Sequence, residues 1–157
     1  METLNILDDI LSKAKGYEVA LLTTFNFEIP FFERNILNRL ENNNVRTFGL
    51  FVDSKNYIDA INSVESSSIG KKYVVSEVDI NSSFHPKLIL LLGAKKAKLI
   101  VTSANLTFTG YCYNNEIFNV FDYDEDNIEY LSVIKSAYLY FKNLNSLYNK
   151  FDNDLFS

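Results

Sequence analysis

One histidine occurs in the chain, His85, and it opens the stretch His85-Pro86-Lys87. Ser103-Ala104-Asn105 follows downstream, and then Asn114-Asn115-Glu116. These are the side-chain types that attack, hold and orient a phosphodiester without a metal. A neutral imidazole can attack phosphorus, and a lysine ammonium can hold a non-bridging phosphate oxygen. An asparagine amide and a serine hydroxyl can donate further hydrogen bonds to the same oxygens. A carboxylate such as Glu116, accepting from an imidazole Nδ1–H, fixes the tautomer, leaves Nε2 to attack and stabilises the charged ring. Chemistry that needs one histidine as nucleophile and another as acid cannot be completed by one copy of a chain with a single histidine.

The elements that must position these residues follow from the hydrophobic pattern. Residues 5–14 and 31–40 carry apolar positions at helical spacing, with Gly16 stopping the first and Pro30 near the start of the second. Residues 18–24, 46–52 and 73–78 read as buried strands, short and nearly uncharged. Ser54 is placed to cap a short helix over 54–61. Residues 87–92 and 97–102 read as strands four and five, joined by a hairpin at 93–96. Residues 107–110 suggest a helical turn. Residues 116–123 alternate as a sixth strand, and 124–151 read as one long helix with acids in its first turn. Side chains two apart in a strand share a face, so His85 and Lys87 are expected to project together from the start of strand four. The hairpin brings the end of strand five, with Ser103 and Asn105, beside them. The expected fold class is α/β, a mixed β-sheet flanked by helices on both faces.

Bulk properties narrow the classes of function. The 157 residues fit one domain, with 47% hydrophobic residues for a core and 22% charged. No apolar run approaches a membrane span of about 20 residues, and Glu2, Asp8 and Asp9 are wrong for a secretory leader. A cytoplasmic protein with no membrane partner is expected. The single Cys112 excludes an internal disulfide and a multi-cysteine zinc site, so no cofactor and no metal are expected. Asp122-Tyr123-Asp124-Glu125-Asp126 lacks the glycine and distal glutamate of a calcium loop and reads as a helix start. Net charge is −5, a poor overall footprint for nucleic acid. Lysines nonetheless gather between residues 71 and 98, as Lys71, Lys72, Lys87, Lys95, Lys96 and Lys98. Phe25-Asn26-Phe27-Glu28, after the first strand, is a further segment that could line the site.

His85-x-Lys87, then Thr102-Ser103-Ala104-Asn105, then Asn115-Glu116 resembles the signature of the phospholipase D superfamily: His-x-Lys, Gly-Ser-x-Asn and a downstream acid. The match covers residues 85–121 in motif, and the strand order of residues 1–157 resembles that family's single-motif catalytic domain. The resemblance implies a phosphohistidine mechanism. His85 would be nucleophile or general acid, Lys87 and Asn105 would bind phosphate with help from Ser103, and Glu116 would orient a histidine. It also implies a homodimer with a shared active site. Two positions depart from the pattern. Thr102 replaces a glycine, and Leu92 replaces an aspartate five residues after the lysine, a loss similar to that in metal-independent restriction endonucleases of the superfamily.

The expectation is therefore a metal-independent phosphodiesterase, a DNA endonuclease domain of a restriction or defence system. The chain would be a whole small protein or the N-terminal domain of a longer one, working beside a separate DNA-recognition or helicase domain or subunit. A phospholipase or small-diester hydrolase of the same superfamily is the alternative within enzymes. A catalytically decayed dimerisation or nucleic-acid-binding module is the alternative outside them.

Overall fold

A computed structural model describes residues 4–149 and Phe156. The described residues form one six-stranded mixed sheet in the order β3-β2-β1-β4-β5-β6. The strands are β1 (Val19–Thr24), β2 (Thr47–Asp53), β3 (Val74–Val78), β4 (Leu88–Leu92), β5 (Lys96–Thr102) and β6 (Phe118–Asp124). β1, β2 and β3 run parallel, and each strand from β4 to β6 is antiparallel to its neighbour on the β1 side.

Helices cover both faces, as the apolar strands require. On one face lie α1 (Ile6–Ile10, tightening into Leu11–Lys13), α2 (Ile29–Phe31, running on through Phe32–Leu37 and Asn38–Asn42) and α3 (Ser54–Asn62). On the other lies α5 (Leu131–Tyr148). Strand alternation feeds both layers. Ala20, Leu22, Leu50, Val52, Ile89 and Leu91 pack toward α1, α2 and α3, whereas Leu21, Phe51, Leu90 and Leu99 pack toward α5. Phe51 meets Phe141 of α5 at 6.0 Å between ring centroids. Short α4 (Phe108–Cys112) is capped by Thr107, whose Oγ1 accepts from the Gly110 N–H at 3.1 Å.

Asn5 caps α1, its Oδ1 accepting from the Leu7 N–H at 2.9 Å, and Gly16 ends the segment at φ +83°. Three expectations change. The cap of α3 is Asp53, not Ser54: Asp53 Oδ1 accepts from the Asn56 N–H at 3.3 Å. The last helix begins at Leu131 rather than at 124, because Asp124 Oδ1 takes the N–H groups of Asp126 and Asn127 at 2.9 and 2.8 Å and closes a turn there. The apolar residues of that segment do not all face the core: Ile128 and Leu147 are exposed. The expected end of this helix, residues 150–151, lies outside the described residues.

The strand order reverses direction between β1 and β4. In open α/β sheets the crevice beyond the carboxyl ends of strands at such a switch point is where ligands bind. The carboxyl ends of β1, β2 and β5 and the amino ends of β4 and β6 all lie at this end of the sheet.

Candidate active site

All five residues singled out by type and spacing lie at that end. His85 and Lys87 stand just before β4, Ser103 and Asn105 just after β5, and Glu116 just before β6. The hairpin register puts Leu88 opposite Val101, and the Thr102 N–H donates to Lys87 O at 3.1 Å.

Lys87 Nζ lies 2.9 Å from His85 Nδ1 and donates to His85 O at 2.8 Å. An ammonium has donors only, so Nδ1 must present its lone pair and the neutral ring carries its proton on Nε2. This differs from the expected arrangement with a carboxylate on Nδ1. Glu116 instead accepts from Ser103 Oγ through Oε2 and from Asn114 Nδ2 through Oε1 at 3.2 Å. The Ser103 hydroxyl also accepts from the Ile117 N–H at 3.0 Å, which ties the end of β5 to the start of β6. Partial burial lowers the Lys87 ammonium's pKa, and the nearby Glu116 charge opposes that shift. The glutamate therefore acts electrostatically on the lysine that touches the histidine.

Asn105 is oriented from β1. Its Oδ1 accepts from the Asn26 N–H at 3.0 Å and lies 3.4 Å from Thr24 Oγ1. The Thr24 hydroxyl is committed more closely elsewhere, donating to Asn26 O at 2.7 Å and accepting from the Leu106 N–H at 3.1 Å. Because a backbone N–H can only meet the amide oxygen, the Asn105 flip is fixed and its Nδ2 donors are turned away from β1. That is the group a phosphate oxygen would need.

A profile of the tyrosyl-DNA phosphodiesterase family matches residues 2–113. The chain belongs to that family. It is a phospholipase D superfamily domain with the class of activity that goes with it, phosphodiester cleavage. Among solved structures it is similar to NucT from Helicobacter pylori, with a TM-score of 0.61, 14% identity, and 92% of this chain and 90% of that one covered. It is similar too to Nuc from Salmonella typhimurium, a phospholipase D family member, with a TM-score of 0.58, 15% identity, and 91% and 87% covered. Yeast tyrosyl-DNA phosphodiesterase aligns at a TM-score of 0.46 and 18% identity over 64% of this chain and 25% of its own. No curated protein sequence matches the chain.

For this tyrosyl-DNA phosphodiesterase family member, sequence reasoning missed several residues that hold the site. Thr24 was unnoticed, although a Thr pair closing an otherwise apolar strand was a signal that hydroxyls were wanted there. Of the segment 25–28, Phe25 stacks on the His85 ring at 4.1 Å and 18°. Asn26 holds Asn105, Phe27 is core, and Glu28 accepts from the Phe108 N–H at 2.9 Å. The lysine group does not form a patch at the site. Lys95 and Lys96 lie around the β4–β5 turn, at the far end of the sheet. Lys72, Lys95 and Lys98 pair with Glu41, Glu125 and Asp122, and Lys96 sits over the Tyr17 ring at 4.5 Å. Among the described residues no cluster of three or more His, Cys, Asp or Glu is placed to hold a metal ion, and no helix is long and apolar enough to cross a membrane.

Proposed function

We propose that this chain is a metal-independent DNA endonuclease domain of a restriction or defence system. It would act through a phosphohistidine in an active site shared by two copies. The observation that carries the reading is the joining of His85, Lys87, Asn105, Ser103 and Glu116 at the switch end of the sheet. Membership of a family named for a DNA phosphodiester substrate supports nucleic acid, and Leu92 in place of an aspartate supports the restriction-like branch.

In the first step Lys87 gives up Nδ1 for a non-bridging phosphate oxygen, and the ring proton passes to Nδ1. Nε2 then forms the N–P bond as the P–O bond to the leaving oxygen breaks. The second copy's His85, protonated, gives its proton to that oxygen. In the second step a water attacks phosphorus, loses its proton to the now neutral second imidazole, and the P–N bond breaks. Lys87 and the Asn105 amide stabilise charge on the phosphoryl oxygens, and Glu116, which accepts from the Ser103 hydroxyl, favours the charged form of Lys87.

Exposed Phe108, Tyr113 and Ile117 near Asn105 and Glu116 favour a second reading, a diester with an apolar substituent. The test is cleavage in excess EDTA of DNA, bis(p-nitrophenyl) phosphate and phosphatidylcholine vesicles, by the wild type and His85→Ala. DNA cleavage that survives EDTA and is lost in His85→Ala is expected. Turnover of the vesicles without turnover of DNA would replace the leading reading with the second.

A further inference from the structure

Nothing in the motif says what keeps the His85 ring in place. His85 is exposed and lies outside the regular strand, so its own backbone ladder does not fix it. Two contacts from other strands do. Phe25, the residue after β1, lies nearly parallel to the imidazole, with ring centroids 4.1 Å apart and an interplanar angle of 18°. Asp53, the last residue of β2, is buried, and its Oδ2 accepts from the Phe84 N–H at 3.1 Å. Phe84 is itself buried against the α5 layer, so the peptide leading into His85 is held at both its amide and its side chain.

We propose that Phe25 and Asp53 are positioning residues of the reaction, Phe25 fixing the plane of the His85 ring and Asp53 fixing the backbone that carries it. The inference rests on His85 acting as proposed above. In-line attack needs the Nε2 lone pair aimed at phosphorus, and an ångström of misplacement is costly. Stacking on one face opposes rotation about the Cβ–Cγ bond, the motion that would swing Nε2 off the line of attack. The negative face of Phe25 also lies against a ring that becomes cationic when Nε2 is phosphorylated. Asp53 has a second duty, because Oδ1 caps α3 and also accepts from Asn56 Nδ2 at 3.0 Å. The two duties are separable. A serine at 53 can still cap the helix but is too short to span to the Phe84 N–H as well.

The lone histidine makes the test direct, since ring-labelled protein gives a single imidazole signal in NMR. Hydrolysis of DNA and of bis(p-nitrophenyl) phosphate is measured for the wild type, His85→Ala, Phe25→Leu, Phe25→Tyr and Asp53→Ser. Phe25→Leu and Asp53→Ser are expected to lower kcat about tenfold with KM within about twofold. Phe25→Tyr should restore the rate. Phe25→Leu should also move the His85 ring protons downfield by removing the stacked ring. Wild-type kcat in both Phe25→Leu and Asp53→Ser, with His85→Ala dead, overturns this inference and leaves the catalytic reading standing. An active His85→Ala overturns the catalytic reading instead. If Asp53→Ser does not fold, Phe25→Leu decides alone, because Phe25 is half-exposed at the sheet end.

Discussion

The chemistry of Lys87 turns on where its ammonium is held. Its Nζ contacts His85 Nδ1 and its pKa is lowered by partial burial. The ordinary lysine value is 10.5, so the free enzyme loses this charge at a lower pH than a solvated lysine would. On the proposed mechanism phosphate capture needs the charged form, so kcat/KM should fall on the alkaline side, through that lowered value. The profile of kcat/KM reports the free enzyme, so a phosphate's own effect on the lysine does not mask the limb. Lys87→Arg keeps a positive charge to pH values above 12 or so and should remove the part of the alkaline limb that belongs to Lys87, leaving the part set by the proton that the second His85 must hold, at reduced rate because a planar guanidinium replaces a point charge. An unchanged limb in Lys87→Arg would assign it to another group. Asp53 gives a prediction at acid pH. Burial pushes its carboxyl up, but the N–H groups of Phe84, Asn56 and Lys55 and the Asn56 amide outweigh that and hold it below 3.8. A depressed carboxylate contributes stability above its unfolded value and loses it as pH falls through the folded value. Asp53→Asn should therefore lose less stability than the wild type between pH 4 and 2 or so in denaturant melts. The types and spacing of His85, Lys87, Ser103, Asn105 and Glu116 were legible in the sequence because each carries its chemistry on its face. The segment 25–28 was legible as one that could line the site, but the stacking of Phe25 on His85 and the roles of Thr24 and Asp53 were not, because they exist only through contacts with residues some 30 to 80 positions away, as in Asp53 to Phe84 and Asn26 to Asn105.

At the scale of elements, the site is a consequence of the β1–β4 reversal, which sets the hydroxyls of Thr23 and Thr24 against the incoming β4 and the outgoing β5. The Leu88 N–H donates to Thr23 Oγ1 at 3.0 Å, so β4 is registered from a side chain as well as from the ladder. The strands were readable because continuous apolar runs of strand length have one comfortable place, a sheet covered on both faces. The start of α5 was misread because the acids at 122–126 suit a helix N-terminus equally well as a turn, and only the Asp124 hydrogen bonds distinguish the two. α4 shows how closely an element can be fitted to one residue of the candidate site. A Cβ at Gly110 would stand 2.6 Å from Asn105 O and 3.2 Å from Asn105 N, both backbone atoms that cannot swing aside. Gly110→Ala must therefore push α4 and the Asn105 peptide apart and spoil the Asn26–Asn105 bond. The expected result is a kcat/KM reduced by about a hundredfold and a melting temperature lowered by a few degrees or so. Thr107→Ala removes the α4 cap and leaves the Asn105 peptide with its contacts. It should cost about 1 kcal/mol of stability and much less activity. Equal losses of activity in the two variants would show that α4 serves the site only by being folded.

For the whole molecule, charge and copy number bear on how a substrate is engaged. The chain carries a net charge of −5, and three of its clustered lysines are paired with acids. Each phosphate neutralised contributes a slope of about −0.9 in log affinity against log salt. One copy offers Lys87 at the site, so a two-copy enzyme should show a slope in log kcat/KM of only about −2. A slope several times steeper would reveal a basic surface elsewhere, which the pairing of Lys72, Lys95 and Lys98 argues against. The single histidine makes the copy-number argument quantitative. If each turnover uses one His85 to attack and another to move the proton, a mixed pair of wild type and His85→Ala is inactive. After equilibration with an equal amount of His85→Ala, wild-type chains are found in wild-type pairs only half as often. The activity of a fixed amount of wild type should then fall to about half, and further as the variant is added in excess. The mixing must be slow enough, or dilute enough, for pairs to exchange, which sedimentation of the same samples reports. A wild-type rate indifferent to added His85→Ala, in samples shown to have exchanged, would mean that one copy completes the reaction. Some group other than a second His85 would then carry the proton.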